Sequence, residues 1–257
     1  MDHLVKLVDD ARERVKRGYY DCGPTLRRSR KGLSRAIQEA RSNPIITEIK
    51  FASPSQGRIR GPEPAAGIAK EMVNGGACAL SVLTEPENFD GGLQTLSGVA
   101  EQVNVPIVMK DVVVSVAQLE AGARAGADAV VLISEVFNRG LADLALGDFL
   151  GKARELGMEV LAEANGVEEF LELRKFEPDL YGVNNRNLST FQLELSTTER
   201  ILDRAGRMDR PVVSESGIES ADDVRRLKSA GATAFLVGTS IMKSSNIEVK
   251  VRELVQA

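Results

Sequence analysis

Eight short apolar runs, separated by longer segments, dominate the sequence from residue 44 onward. Several runs are apolar at every position, which is typical of parallel strands covered by helices. The segments between them, such as 115–125, 140–156, 167–175 and 220–230, place apolar residues at helical spacing. This alternation predicts a parallel α/β fold. The predicted strands are 45–51, 79–83, 106–109, 129–133, 159–162, 180–183, 211–214 and 234–237.

Glycine followed by alanine precedes three of these strands, at 76–77, 126–127 and 231–232. Each pair suits a helix that ends near the glycine and turns into the next strand. Eight repeats of a strand followed by a helical segment, without a Gly-rich nucleotide turn after the first strand, favour a closed barrel over an open doubly wound sheet. The prediction is a single (β/α)8 TIM barrel over residues 44–257.

Residues 1–43 precede the first strand and predict helices over 4–17 and 33–41, with a loop at Gly23 and Pro24 between them. They contain no linker-like stretch that would mark a second domain. We therefore expect a helical extension packed on the barrel.

Composition excludes several classes of function. No window approaches the ~20 apolar residues of a membrane span, and the N-terminus lacks a signal-peptide pattern, so we expect a cytoplasmic protein without membrane contact. His3 is the single histidine, and Cys22 and Cys78 have no metal-like spacing, so no metal site is expected. Acid–base chemistry must then use Lys, Glu or Asp.

The basic residues of the N-terminal segment do not predict nucleic-acid binding. Residues 1–41 contain 11 Lys or Arg against 6 Asp or Glu, although the whole chain has a net charge of −4. Arg27, Arg28, Arg30 and Lys31 lack the aromatic or glycine interleaving of a nucleic-acid surface.

Polar residues collect at the carboxyl ends of five predicted strands, where the active sites of (β/α)8 barrels lie. Residues two apart on a strand share a face, so each strand would turn its polar residues into one cavity. An acid and a base buried together at a strand end indicate chemistry more than stability. The residues are Glu48, Lys50 and Ser53, then Lys110, then Glu163 and Asn165, then Asn184, Asn185 and Arg186, and finally Ser214, Glu215 and Ser216.

A phosphate site is predicted after the last two strands, where this fold usually has one. Ser216 and Gly217 precede a helix, and Gly238 and Thr239 follow the eighth strand, so backbone N–H groups can approach an oxyanion. Because the eighth strand pairs with the first in a closed barrel, Lys50 and Ser53 would complete the site.

Motifs at these strand ends resemble, in the same order, those of indole-3-glycerol-phosphate synthases. The resemblance runs from about residue 44 to 242, and the residues before it resemble that family's N-terminal extension. Its most specific element is E-x-K-x-x-S-P-S, whereas S-E-S-G-I and the final G-T-S also occur in related phosphate-binding barrels. The matching segments are 48–55, 83–86 with Phe89, 109–111, 184–188 and 214–218.

The resemblance implies a small phosphorylated substrate, 1-(2-carboxyphenylamino)-1-deoxy-D-ribulose 5-phosphate. Its ring closure with loss of CO₂ and water gives indole-3-glycerol phosphate in tryptophan biosynthesis, with no metal or organic cofactor. Attack on the carbonyl places negative charge on its oxygen, so this step needs an ammonium nearby that can donate a proton. Loss of water then needs a second acid and a base. Association with other tryptophan-pathway enzymes is left open.

Residue roles also follow from the resemblance. Lys110 would be the general acid of ring closure, Glu163 a base in dehydration, and Lys50 an ammonium that holds the substrate and could deliver the proton to the departing hydroxyl. Glu48 would orient either Lys50 or Lys110 and bind substrate. The division of proton transfers between the two lysines is left open. The expected substrate contacts are Asn184, Arg186, Glu215 and Ser216, with Phe89, Val112, Val131 and Leu236 as apolar walls and Lys50, Ser53, Gly217, Gly238 and Thr239 around the phosphate.

Val112 departs from the family pattern, which often has phenylalanine after the Lys-Asp pair. Two other functions stay open. A sugar-phosphate isomerase on a related barrel would share the phosphate elements, but typically uses Cys and Asp or two Asp at strand ends. A non-catalytic barrel that binds an anionic ligand would lack at least one expected catalytic residue, and none is lost.

Overall fold

The computed structural model describes residues 2–21, 26, 32–61 and 63–257. Within them, eight parallel strands close into a barrel, in the ring order β1-β10-β9-β8-β7-β6-β5-β4, which confirms the predicted fold class. The strands are β1 (Ile45–Ile49), β2 (Ala52–Ser53), β3 (Gly57–Arg58), β4 (Ala79–Leu83), β5 (Ile107–Lys110), β6 (Ala129–Ile133), β7 (Glu159–Ala164), β8 (Leu180–Asn184), β9 (Val212–Glu215) and β10 (Ala234–Val237), of which β2 and β3 form a separate antiparallel pair.

Two helices precede the first strand, and the others follow strands along the chain. They are α1 (His3–Lys16), α2 (Leu33–Glu39), α3 (Ala65–Asn74), α4 (Pro86–Phe89), α5 (Leu93–Ala100), α6 (Val116–Ala125), α7 (Ser134–Asn138), α8 (Leu146–Glu155), α9 (Val167–Leu173), α10 (Ser196–Ala205), α11 (Ala221–Ser229), α12 (Thr239–Met242) and α13 (Ile247–Val255). A 3-10 turn at Arg174–Phe176 extends α9.

The single helix predicted over 140–156 is wrong in its first part. Gly140 has a φ of 64°, outside the helical region, and α8 begins only at Leu146. The side chain of Asp148 accepts a hydrogen bond from the backbone N–H of Ala145 at 3.3 Å, which fixes the start of α8 there.

Alternation along the strands places the polar residues inside the barrel. On β1, Ile45 and Ile49 belong to the apolar layer between the sheet and the helices, whereas Ile46 belongs to the barrel interior. Val108 on β5 and Leu161 on β7 are also interior. Because side chains two apart share a face, the strand-end residues of the same parity rise from this interior toward one opening.

The N-terminal segment contributes to the same interior cluster. Leu4, Leu7 and Val8 of α1 are buried together with interior residues of the barrel, and Leu33 of α2 joins them. The Gly23–Pro24 loop, Cys22 and the basic residues Arg27, Arg28, Arg30 and Lys31 lie outside the described residues. The division of the chain at residue 43 stays a prediction.

Three glycines make the turns toward strands that the sequence predicts. Gly76, Gly126 and Gly231 have φ values of 103°, 98° and 108°, a region that L side chains rarely adopt, so each glycine makes the predicted turn toward a strand. Among the helices of the described residues, none is long and apolar enough to cross a membrane.

Candidate active site

A cavity opens at the carboxyl ends of the strands, where the parallel sheet brings its polar residues together. Its wall includes Lys50 after β1, Lys110 at the end of β5, Asn184 on β8 and Glu215 on β9. These four come from distant parts of the sequence. The closed barrel therefore assembles the strand-end residues that the sequence predicts.

Lys110 forms the centre of a buried charge cluster. Its Nζ lies 2.9 Å from Oε2 of Glu163 and 3.5 Å from Oε2 of Glu215. Burial disfavours the charged lysine, but the negative charges of Glu163, Glu215 and Glu48 outweigh it and raise the pKa of Lys110 above its usual value. Lys110 is therefore held as an ammonium at the floor of the cavity.

Lys50 and Glu48 form a second ion pair beside this cluster. Nζ of Lys50 lies 2.6 Å from Oε1 of Glu48, whose side chain is almost fully buried. The other carboxylate oxygen, Oε2, has no hydrogen-bond partner among the described residues. Glu48 thus has one oxygen that orients Lys50 and one buried oxygen without a partner among the described residues.

Asn184 fixes the carboxylate of Glu163 from the side opposite Lys110. Its Nδ2 donates to Oε1 of Glu163 at 2.7 Å, while its Oδ1 accepts from the backbone N–H of Arg186 at 2.9 Å. Nδ2 of Asn165 donates to the backbone oxygen of Asn184 at 2.6 Å. Each oxygen of Glu163 therefore has its own donor, and the base candidate is held in one orientation.

Glu215 is buried without a hydrogen bond to either carboxylate oxygen among the described residues. Burial raises the pKa of Glu215 to about 8, with Glu163 and Glu48 adding to the rise and Lys110 opposing it. The carboxylate lies against β8 at Gly182, where an added Cβ would stand 2.6 Å from Oε1 of Glu215. Glycine at this position makes room for the buried acid.

Ser53, Gly217, Gly238 and Thr239 also line the cavity, and Gly238 lies directly beside Glu48 and Lys50. Ser216, which also lines it, has a φ of 68°, and Gly217 follows with a φ of 81°. Two successive left-handed residues turn the backbone sharply between β9 and α11.

Asn185 holds this turn, a role that sequence reasoning missed. Its Nδ2 donates to the backbone oxygen of Ser216 and to Oγ of Ser214, both at 3.1 Å, and its Oδ1 accepts from Oγ1 of Thr198 at 2.9 Å. Asn185 points to the opposite face of β8 from Asn184, and this parity is the signal in the sequence that separates the two adjacent asparagines.

The apolar wall contains most of the expected residues. Phe89, Val112 and Leu236 line the cavity. Val131 does not, because it is fully buried deeper in the barrel, and Ile133, two residues further along β6, lines the cavity in its place. The depth of a residue depends on the tilt and stagger of the strands, which periodicity does not supply.

Loops and the N-terminal helix supply further apolar lining that the sequence did not indicate. Leu7 of α1 and Phe191 of the loop after β8 line the cavity, and the ring of His3 stacks on Phe191 with centroids 4.2 Å apart. Phe191 itself has a φ of 60°, and its backbone oxygen accepts from Nη1 of Arg186 at 3.1 Å. Among the described residues, no group of His, Cys, Asp and Glu could hold a metal ion.

Comparison with known proteins identifies the family. A family model described as indole-3-glycerol phosphate synthase matches residues 3–254. The chain belongs to this family. The indole-3-glycerol phosphate synthase of Methanocaldococcus jannaschii is 40% identical over 227 residues, covering 87% of this chain and 82% of its own. That of Haloarcula marismortui is 37% identical, covering 98% and 91%.

Indole-3-glycerol phosphate synthases are decarboxylating lyases of tryptophan biosynthesis, so membership assigns this reaction class and pathway to the chain. Of the three functions left open by the sequence, the comparisons bear out the lyase. The substrate is accordingly a small phosphorylated molecule.

More distant solved structures share the fold alone. Thiamine phosphate pyrophosphorylase from Pyrococcus furiosus superposes with a TM-score of 0.60 at 18% identity, covering 84% of this chain and 94% of its own. 3-Hexulose-6-phosphate synthase superposes with a TM-score of 0.64 at 14% identity, covering 82% and 97%.

Proposed function

We propose that Lys110 and Glu163 perform the acid–base steps of indole-3-glycerol phosphate formation, while Lys50, held by Glu48, binds the substrate and assists the loss of water. One observation carries this assignment. The ammonium of Lys110, which lines the cavity, lies 2.9 Å from the buried carboxylate of Glu163, and the Lys50–Glu48 pair lines the same cavity.

In the ring-closing step, the aromatic carbon that bears the carboxylate bonds to the ribulose carbonyl carbon. The carbonyl oxygen gains the displaced electron pair and takes a proton from the ammonium of Lys110. The bond to the carboxylate then breaks, CO₂ leaves, and its electron pair restores the aromatic ring. The carboxylates around Lys110 favour its protonated form before the step, and the developing oxyanion is a base strong enough to take the proton.

In the dehydrating step, a proton leaves the first ribulose carbon and a hydroxyl leaves the second, which forms the double bond of the pyrrole ring. Glu163 takes the proton, since its two oxygens are fixed by Lys110 and Asn184. The departing hydroxyl needs a proton of its own to leave as water. Lys50, just after β1, donates it, and its pairing with Glu48 keeps its ammonium directed into the cavity.

Substrate binding divides between a polar side and an apolar side of the cavity. Lys50, Ser53, Gly217, Gly238 and Thr239 bind the phosphate, on the side where the sequence places small residues and one cation. Phe89, Val112 and Leu236, with Ile133 in the wall in place of Val131, contact the carboxyphenyl ring. Asn184, Arg186, Glu215 and Ser216 contact the hydroxyl and carboxylate groups between the two.

The direct test is incubation of the purified protein with 1-(2-carboxyphenylamino)-1-deoxy-D-ribulose 5-phosphate. Indole fluorescence and CO₂ release are followed together, in buffer with EDTA and without added metal. We expect both signals to appear at matching rates. Binding of the substrate by folded protein without either product would contradict the proposal.

The role of Lys110 is tested by Lys110→Ala. Loss of a general acid lowers kcat by at least about a hundredfold while the fold is kept. Lys70→Ala, at an exposed position of α3, is the matched control and is expected to keep wild-type kcat. A Lys110→Ala variant with more than half of the wild-type kcat would remove Lys110 from the mechanism.

A further inference from the structure

A second buried polar cluster connects α1 to the wall of the cavity. Nη1 of Arg14 donates to Oε1 of Glu85 at 2.7 Å and to Oε2 of Glu87 at 2.6 Å, and its Nη2 lies 3.6 Å from Oδ1 of Asp111. The side chain of Arg14 is only 3% exposed, and those of Glu85 and Asp111 are 1% and 0% exposed. A guanidinium from the N-terminal helix is thus buried between two acids that line the cavity.

Tyr20 completes the cluster. Its hydroxyl donates to Oδ2 of Asp111 at 2.8 Å and accepts from Nε of Arg14 and from Nε2 of Gln118, both at 3.3 Å. Oγ1 of Thr84 donates to the same Oδ2 at 2.7 Å. The Asp111 carboxylate is therefore fixed by donors from the N-terminal segment and from the end of β4.

Charge explains why Arg14 is indispensable to this arrangement. Glu85 and Asp111 are buried carboxylates, and a buried charge costs several kcal/mol unless it is paired. In the described part of the chain, Arg14 is the cation whose ion pairs with Glu85 and Asp111 the structure shows. Its Nη2 has no hydrogen-bond partner among the described residues and meets Asp111 as an ion pair at 3.6 Å.

Asp111 and Glu85 both accept hydrogen bonds from backbone N–H groups of the segments that carry residues of the proposed site. Asp111 follows Lys110 directly, and its Oδ1 accepts from the backbone N–H of Val112 at 2.8 Å. Glu85 accepts from the backbone N–H groups of Asn88 at 2.7 Å and Phe89 at 3.0 Å, which fixes α4. One cluster thus sets the backbone around the general acid and around two walls of the ring pocket.

We propose that Arg14 and Tyr20 are positioning residues for the reaction, which act through Asp111 on Lys110 and Val112 and through Glu85 on Phe89. This inference rests on the role proposed above for Lys110. Neither residue needs to contact the substrate. Displacement of a reacting group by about 1 Å can cost about a hundredfold in rate, so loss of this support has a kinetic effect beyond its effect on stability.

The test compares Arg14→Met and Tyr20→Phe with Arg17→Met, a matched control at an exposed position just after α1. All are assayed on the carboxyphenylamino-deoxyribulose phosphate at a temperature where circular dichroism shows them folded. We expect kcat/KM to fall at least about tenfold in Arg14→Met and about threefold or more in Tyr20→Phe, and to stay within about twofold in Arg17→Met.

The pH profile of kcat distinguishes a positioning role of Arg14 from a purely structural one. Asp111 is faced by Arg14 and Tyr20 from the N-terminal segment and by Glu85 and Thr84 from β4 and the turn after it. Burial raises the pKa of Asp111, and Arg14 opposes the rise, so removal of the cation raises it further. The acid limb of kcat should therefore move to higher pH in Arg14→Met, while Arg14→Lys, which keeps the charge, moves it less.

The outcomes are distinguishable. Wild-type kcat/KM and an unchanged acid limb in both Arg14→Met and Tyr20→Phe would overturn the inference, whatever their Tm. If Arg14→Met fails to fold, Tyr20→Phe decides alone, because it removes one oxygen and leaves the charges in place. An inactive wild-type protein would instead contradict the proposed function.

Discussion

Three carboxylates and two ammonium groups stand at the carboxyl ends of the strands in the described barrel, so the cluster would carry one net negative charge with every group ionised. Burial, with Glu163 and Glu48 adding to it, raises the pKa of Glu215, which also lacks a hydrogen bond to either oxygen among the described residues, so Glu215 is the member that takes up a proton. A buried acid of this kind reduces stability when it ionises. Its retention is consistent with a role in binding or catalysis.

Glu215→Gln is predicted to become more stable relative to wild type as the pH rises. The folded-state pKa of Glu215 lies above the ordinary 4.5, at about 8, so its contribution to stability is present below pH 4.5 and is lost as the pH rises through 8. Glutamine has no such loss. The Tm of the variant relative to wild type should therefore be higher at pH 9 than at pH 5, measured by thermal unfolding with Glu219→Gln, which is at an exposed position, as control.

An equal Tm difference at both pH values would show that Glu215 does not titrate with a raised pKa. We also expect kcat/KM of Glu215→Gln to fall, because the carboxylate that faces Lys110 is lost. Stability and activity would then change in opposite directions at one residue, as is common for groups held at functional sites.

Individual residues show how far the sequence predicts the site. The shared orientation of Lys110 and Glu163 follows from a period of two along each strand, and both lie in one charge cluster. Which acid pairs with which lysine does not follow, because it depends on the stagger between strands. Glu48 was expected to orient either lysine, and its ion pair is with Lys50. The catalytic roles stay predictions.

At the scale of elements, β8 is shaped by its neighbour β9. Gly182 pairs with Val213, and the added Cβ that would meet Glu215 at 2.6 Å would also lie 3.3 Å from Cα of Glu163. A glycine inside a strand weakens the strand, and close approach of another group is a common reason for one. Here the approaching group belongs to the charge cluster itself.

Gly182→Ala is predicted to lower kcat/KM by at least about tenfold, because the methyl group must displace the carboxylate of Glu215 or the backbone of β7. The measurement is steady-state kinetics on folded protein. Gly151→Ala in α8, where an added Cβ meets nothing within 4 Å, is the matched control and should keep full activity. Wild-type kinetics in Gly182→Ala would show that the cluster tolerates displacement.

Element boundaries show the same limit of prediction. The eight strands are all found, three with the predicted bounds and five with ends displaced by one or two residues, because β-branched apolar runs and the glycine turns define them locally. The predicted helix over 140–156 joined two elements, since Leu141 and Ala142 continue the apolar spacing although the chain there is not helical. Gly140 in a left-handed conformation and the Asp148 cap decided the boundary.

At the scale of the whole molecule, a clamp of hydrogen bonds joins the start of the barrel to the last helix. Asn43, just before β1, donates through Nδ2 to the backbone oxygens of Val255 at 3.3 Å and Ala257 at 2.7 Å, and its Oδ1 accepts from Nζ of Lys228 at 2.8 Å. Its backbone N–H also donates to Val255. One buried side chain thus ties the start of the barrel to the end of α13.

Asn43→Ala is predicted to lower the free energy of unfolding by about 1–3 kcal/mol, because the backbone oxygen of Ala257 and the ammonium of Lys228 lose their hydrogen-bond partner. The clamp lies at the opposite end of β1 from Glu48 and Lys50, so kcat should not change. Chemical denaturation and steady-state kinetics measure the two effects. Asn104→Ala, at an exposed position, is the control, and a fall in kcat at unchanged stability would contradict the separation.

Long-range contacts of this kind explain what the sequence could not predict at this scale. Hydrophobic periodicity determines the number of strands and the closed architecture. It contains no signal for a contact between residues 43 and 257, or between residues 14 and 111, because each depends on where the closed barrel places the chain ends.

The guanidinium buried beside Glu85 and Asp111 sets a limit on protein engineering. A shortened barrel that began at residue 44 would keep all the strands and every proposed catalytic side chain. It would lose the cation that balances two acids in the cavity wall and the α1 leucine that lines the cavity. Designs that transplant this chemistry onto a minimal barrel must therefore import α1 as well, or replace both acids with neutral residues.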